Sequence, residues 1–155
     1  MPKIGRDAYH NAIENILETA GYTYQKMGLG RILIYKNGRK IYAVIAGKNL
    51  PYFGSHGKVI FPWETHIQAN RIDKIEMEAE KYRSESWMVF CYAILKEEYK
   101  QHFSTIIRLN GIDFGAKFIK TSSYRKHMKP RSLSWKIVDL PREKVFQITC
   151  DVEKI

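Results

Sequence analysis

The chain has 155 residues, 45% of them hydrophobic and 13% aromatic, which is enough for one domain around a packed core and too apolar for a disordered segment. Against 16 Asp and Glu stand 26 Lys and Arg, a formal charge of +10 that attracts polyanions, nucleic acid ahead of acidic lipid or acidic protein. No long apolar run and no secretory pattern after Met1 is present, so neither a membrane span nor an export signal enters the reading, and the chain is expected in the cytoplasm.

Residues 7–20 read as an amphipathic helix: Asp7 is placed to cap it, Ile13, Ile16, Leu17 and Ala20 share a face, and Gly21 suits its end. Residues 22–27 form a short strand and 28–30 a turn. Residues 31–35 and 40–46 are apolar, β-prone strands joined through Asn37-Gly38, the pair that closes hairpins. Residues 47–57, with their glycines and Pro51, read as a loop, and 58–61 as a further strand ended by Pro62. Thr65 and Gln68 have capping-box spacing, and Ile72, Ile75, Ala79 and Tyr82 continue the apolar stripe of a helix to about residue 82. Residues 87–95 are a continuous apolar run, as in a strand covered on both faces. Residues 96–109 fit no single pattern, 116–120 read as a strand, 121–134 as a loop and 135–138 as a short strand. Helix, hairpin, strand, helix, strand without repeats indicates an α/β fold, a mixed central β-sheet flanked by helices, in one domain over residues 1–155.

Charge is distributed unevenly along the chain. Residues 19–63 hold no carboxylate but contain Lys26, Arg31, Lys36, Arg39, Lys40, Lys48 and Lys58. Residues 114–136 repeat the pattern with Lys117, Lys120, Arg125, Lys126, Lys129, Arg131 and Lys136. Carboxylates crowd instead into residues 64–98, which suggests a two-faced molecule with a basic side for the partner. Cys91 and Cys150 lie far apart in apolar surroundings without zinc-site spacing and read as reduced, structural thiols. Gly28 and Gly30 lack the third glycine of a phosphate-binding loop, and no serine-nucleophile or haem motif occurs.

Gly5-Arg6-Asp7-Ala8-Tyr9 leading into the first helix, Ala20-Gly21-Tyr22 at its end, the hairpin over residues 32–44, and residues 57–82 followed by the Trp87 strand resemble the restriction-endonuclease-like PD-(D/E)XK nucleases, in particular the archaeal Holliday junction resolvase branch. The likeness covers roughly residues 5–95. It implies a restriction-endonuclease-like fold, a two-fold homodimer and branched or duplex DNA as the favoured partner. Such nucleases hold divalent metal through an Asp at the start of the first hairpin strand and a Glu in the second, with a Lys two residues beyond, because hard cations take carboxylate oxygens and the metal activates the attacking water. Here the Asp position falls on or beside Arg31, the Glu position on Ile45 or Ala46, and the Lys position on Gly47 or Lys48. Where resolvases carry a Glu early in the first helix, this chain has His10, with Glu14 one turn later. The hairpin carboxylates are absent, and no shift of register recovers one within residues 19–63.

An arginine in place of a metal ligand repels Mg²⁺ and attracts phosphate. The expectation is therefore a nucleic-acid-binding protein with no metal site and no cofactor, contacting phosphate through Arg31, Lys48, Lys58, Arg125, Lys126, Lys129 and Arg131. The alternative is an active endonuclease with a relocated or metal-independent site. Lys48 reads either as the family lysine shifted by one or as a strand-end lysine for phosphate, and Glu64 either as a migrated ligand or as part of a helix start. Tyr124, His127 and Lys129, or Tyr52, His56 and Lys58, supply the residue types with which the related tRNA-intron endonucleases cut RNA without metal, against chance occurrence in a chain with 10 Tyr and 5 His. Trp63, Trp87 and Trp135 adjoin strands and read as core or interface anchors.

Overall fold

The computed structural model describes residues 4–53, 59–61, 63–127 and 137–155. Helix α1 (Arg6–Thr19) forms because Ala12, Ile13, Ile16 and Leu17 recur at helical spacing, and all four are buried. Its N-cap is Gly5, with no side-chain cap, so Asp7 lies inside the first turn, where its charge favours the helix dipole, and does not cap the helix. Strands β1 (Thr23–Gly28), β2 (Arg31–Lys36) and β3 (Arg39–Leu50) follow as an antiparallel meander. Asn37 and Gly38 have φ of 49° and 78°, the left-handed pair that a two-residue hairpin turn requires.

After β3 come the short strands β4 (Tyr52–Phe53), β5 (Val59–Phe61) and β6 (Ile67–Gln68), helix α2 (Ala69–Lys81), and strand β7 (Glu85–Ile94). Strand β7 returns parallel to β3, from Ile41 opposite Glu85 to Leu50 opposite Ile94. The chain then adds β8 (Ile107–Leu109), β9 (Ile112–Lys120), α3 (Thr121–Lys126), β10 (Ile137–Val138) and α4 (Val145–Ile148). The main sheet is six-stranded and mixed, in the order β1-β2-β3-β7-β9-β8. The protein is thus mixed α/β, with helices packed on its sheet.

Side chains alternate across the pleat, so the sheet divides two cores. Ile32, Ile34, Ile41, Ala43, Val89 and Cys91 face α1. Leu33, Tyr42, Val44, Met88, Phe90 and Tyr92 face α2, whose Ile72, Ile75 and Ala79 cover them. Strand β7 feeds both cores, which is why its sequence is an unbroken apolar run. Each of its large side chains stabilises the fold by roughly 1.5–3 kcal/mol through burial.

Several local expectations are corrected. Residues 47–50 are strand rather than loop, because Gly47, Lys48, Asn49 and Leu50 pair with Cys91 to Ile94 on β7, and that ladder outweighs the low β-propensity of glycine and asparagine. Thr65 and Gln68 do not make a capping box. Gln68 is the N-cap of α2 without a side-chain bond, and Ile67 and Gln68 pair with β10 instead. Residues 121–126 are helical rather than loop, with Thr121 and Tyr124 buried. Among the described residues no helix is long and apolar enough to cross a membrane.

Candidate nucleic-acid interface

The pleat splits one set of the positions at which a metal-binding hairpin would carry its ligands, with Arg31 facing α2 and Ile45 and Gly47 facing α1, and gathers the other set, Arg31, Ala46 and Lys48, on the α2 face. Ile45 packs on the α1 side, and Gly47 faces α1 so closely that a Cβ there would stand 2.4 Å from Cδ2 of Tyr9. The Tyr9 ring fills that space, held edge-on to Phe114 at 5.7 Å and donating from its hydroxyl to Oδ1 of Asn49 at 3.2 Å. Burial pushes the Tyr9 phenol up to about 12, with smaller contributions from Cys91 and Glu64. Lys48 lies on the opposite, α2, face. Arg31, level with Val44 in the ladder, also faces α2, where its Nε is 2.9 Å from Oε2 of Glu78 and the Tyr42 hydroxyl donates to that same carboxylate oxygen. Neither face of the hairpin presents an acidic pair, and among the described residues no three His, Cys, Asp or Glu side chains converge where an ion could be held.

A cleft of about 420 Å³ opens beside Tyr9, between the start of α1, the β1–β2 turn, the end of β3 and the entry to α2. Arg6, His10, Lys48, His66 and Arg71 line it. Lys48 is the most enclosed cation: its side chain is 12% exposed, and its Nζ donates to the His66 carbonyl at 2.7 Å and lies 3.5 Å from Oε1 of Glu64. Burial lowers its pKa and the charge of Arg71 lowers it further, against the upward pull of Glu64 and Asp139. His66 is spanned by two carboxylates, Glu64 at 3.0 Å from Nδ1 and Asp139 at 2.8 Å from Nε2.

This wall is anchored from behind. The Thr65 hydroxyl donates to Asp139 at 3.0 Å and accepts the Leu140 amide at 2.9 Å, while Tyr92 donates to the Glu64 carbonyl at 3.0 Å. Glu64 and Thr65, expected at a helix start, thus belong to a buried hydrogen-bonded strap that fixes the cleft wall. Tyr124 is fully buried, its hydroxyl 3.0 Å from the carbonyls of Thr65 and Val138, so it cannot serve an exposed cutting site.

A second cavity, about 260 Å³, adjoins the first through Arg71 and is lined by Arg31, Gln68, Asn70, Lys74 and Glu78. Together they make a polar track along one side of α2. Among the described residues Arg6, Arg71 and Lys74 have no ion-pair partner, so their charge is available to a ligand.

Of the residues expected to contact phosphate, Arg31 and Lys48 lie in this track. Arg125 does not: its guanidinium pairs with Asp73 and Glu76, which stand roughly 100–160° around α2 from Arg71 and Lys74. Lys126 is exposed on α3. Lys58, Lys129 and Arg131 lie outside the described residues, as do His56 and Trp135. Trp63 and Trp87 are buried at 5% and 4% exposure, as core anchors. The expected split into a basic side and an acidic segment is also corrected. Carboxylates of residues 64–85 fold back onto the basic hairpin and α3, pairing Glu64 with Lys48, Glu78 with Arg31, Glu85 with Arg39, and Asp73 with Arg125.

Sequence reasoning missed Arg6, His66, Arg71 and Lys74. Arg71, Lys74 and Glu78 do fall at helical spacing, which a wheel of α2 would have displayed. Compared with models of known protein families and with curated proteins, the chain matches none.

Proposed function

We propose that this protein binds nucleic acid, branched or duplex DNA first, along the track formed by the cleft and its neighbouring cavity, on a restriction-endonuclease-like scaffold that has given up metal-dependent cutting. The observation carrying the proposal is the arrangement around the hairpin: a tyrosine ring and a glycine occupy the α1 face, and Arg6, Arg31, Lys48, Arg71 and Lys74 border the cavities on either side of Arg71. Of these, Arg6, Arg71 and Lys74 have no carboxylate pair among the described residues, and such cations attract the phosphate backbone and repel a divalent ion. In support of the scaffold reading, α1, the β2–β3 hairpin, α2 and β7 follow one another in the chain order on which the resemblance was drawn. That resemblance also supports a homodimer, which sedimentation at tens of micromolar protein tests directly.

The test is retention of branched and duplex DNA by the native protein and by Arg71→Glu with Lys74→Glu. The double charge reversal weakens binding to all sequences alike, since backbone contacts position and do not specify. Undiminished binding by that variant overturns the assignment of the interface.

A second reading, an endonuclease with a relocated site, draws on one observation: Lys48, Glu64 and His66 meet at a cleft wall within 3.5 Å of one another. Cutting of DNA in Mg²⁺ that disappears in Glu64→Ala or Lys48→Ala would establish it over the binding reading.

A further inference from the structure

Within the reading of a nucleic-acid-binding protein, on which this rests, we infer that the cleft between α1 and α2 is a seat for a terminal phosphate, the phosphomonoester at the end of a nucleic-acid strand. The inference stands on charge matching. The carboxylates that pair with cleft-lining side chains, Glu14, Glu64 and Asp139, are already engaged, Glu14 by His10 and Lys26, Glu64 by Lys48 and His66, and Asp139 by His66 and Thr65. Asp7, the acid in the first turn of α1, does not line the cleft. Arg6 and Arg71 enter it from two different helices, and neither has an ion-pair partner among the described residues.

Two uncompensated guanidinium charges match a phosphomonoester, which carries roughly −1.5 to −2 at neutral pH, better than the single charge of an internal phosphodiester. Guanidinium groups also offer the planar, paired donors that suit phosphate oxygens. Arg71 and Lys48 are like charges close enough to oppose one another, an arrangement that an anion between them relieves. The cleft, at about 420 Å³, has the size of a small-ligand site, which seats a strand end while the duplex behind it continues along the track past Arg71 and Lys74. At its rim Leu29 is 71% exposed on the tight β1–β2 turn, an apolar surface beside the charged pocket against which the terminal sugar or base rests.

The experiment is a set of anisotropy titrations with one duplex carrying 5′-phosphate, 3′-phosphate or hydroxyl ends, run on the native protein and on the double variant Arg6→Gln, Arg71→Gln. AMP and inorganic phosphate are followed in parallel by thermal shift. The native protein binds one phosphorylated duplex at least about tenfold tighter than the hydroxyl-ended one, the ratio expected of a charge-assisted contact. In the double variant that ratio falls below about twofold, whatever happens to overall affinity. Equal affinity for all three duplexes overturns the phosphate seat and leaves DNA binding standing, whereas a preference that survives in the double variant overturns its placement in this cleft. If no DNA binds, the underlying reading fails, and AMP or phosphate decides the seat. A thermal shift present in the native protein and lost in the variant upholds it with a free nucleotide or phosphate as ligand, and no shift overturns it.

Discussion

Gly47 shows how one residue can decide what a strand is able to carry. Because the Tyr9 ring occupies the space above it, any side chain at 47 must displace a half-buried aromatic that is itself hydrogen-bonded to Asn49. Gly47→Ala is therefore expected to lower stability by about 1–3 kcal/mol in denaturant unfolding, a penalty of overpacking that shrinks when Tyr9→Ala is combined with it. Additivity of the two changes would contradict the account. It follows that writing the metal motif back as Arg31→Asp, Ile45→Glu and Gly47→Lys cannot restore a site on its own, since Arg31 faces α2 while residues 45 and 47 face α1. Thr65 is a second position of this kind. Its buried hydroxyl holds both Asp139 and the Leu140 amide, so Thr65→Val leaves a buried amide unsatisfied and should cost about 1–3 kcal/mol, read as a fall in the unfolding midpoint at unchanged slope.

At the scale of elements, α2 divides its charges by face. Arg71 and Lys74 border the cavities, while Asp73 and Glu76 hold Arg125 on the other side. Arg71→Gln is accordingly expected to weaken DNA binding by several-fold, about 1 kcal/mol for one phosphate contact, with stability unchanged, whereas Arg125→Gln lowers stability slightly and leaves affinity nearly as it was. The reverse pattern would move the interface to α3. The Arg39–Glu85 pair ties β3 to the first residue of β7, at 2.6 Å. Hydrogen bonding from Arg39 lowers the Glu85 pKa below its ordinary value, so the stability it contributes is present above about pH 4.5 and is lost as pH falls through the depressed value. Glu85→Gln should be less stable than the native chain at pH 7, by about 0.5–1 kcal/mol for so exposed a pair, with the gap closing toward pH 3. A gap that persists unchanged at pH 3 would mean the pair is not its source.

The elements with strong periodicity were legible in the sequence: α1, the Asn37-Gly38 hairpin and the apolar β7 follow from local patterns that tertiary contacts reinforce. The β3 extension, β6 with its pairing to the expected strand at residues 137–138, and α3 were not, because each depends on a partner far along the chain, and Gly47, Thr65 and Thr121 carry no local signal of it. The cleft was half legible. Lys48 and Arg31 stood out in an acid-free stretch, but Arg6, His66 and Arg71 join them only through the fold, and the carboxylates that neutralise other cations come from segments distant in sequence.

On the whole molecule, a formal charge of +10 overstates what any one face presents, because Glu64, Asp73, Glu76, Glu78 and Glu85 pair with cations from the basic stretches. What remains available lies along the track of Arg6, Arg71 and Lys74. Binding through such a track is driven by counterion release and by little else. The measurement that bears most directly on this is the affinity of the native protein for branched and duplex DNA as a function of salt. With roughly three phosphate contacts, affinity should fall about 40-fold between about 50 and 200 mM salt, and equally for both DNAs if only backbone is contacted. No binding at 50 mM salt, or an affinity flat across that range, would contradict the claim that this basic cleft is a nucleic-acid interface.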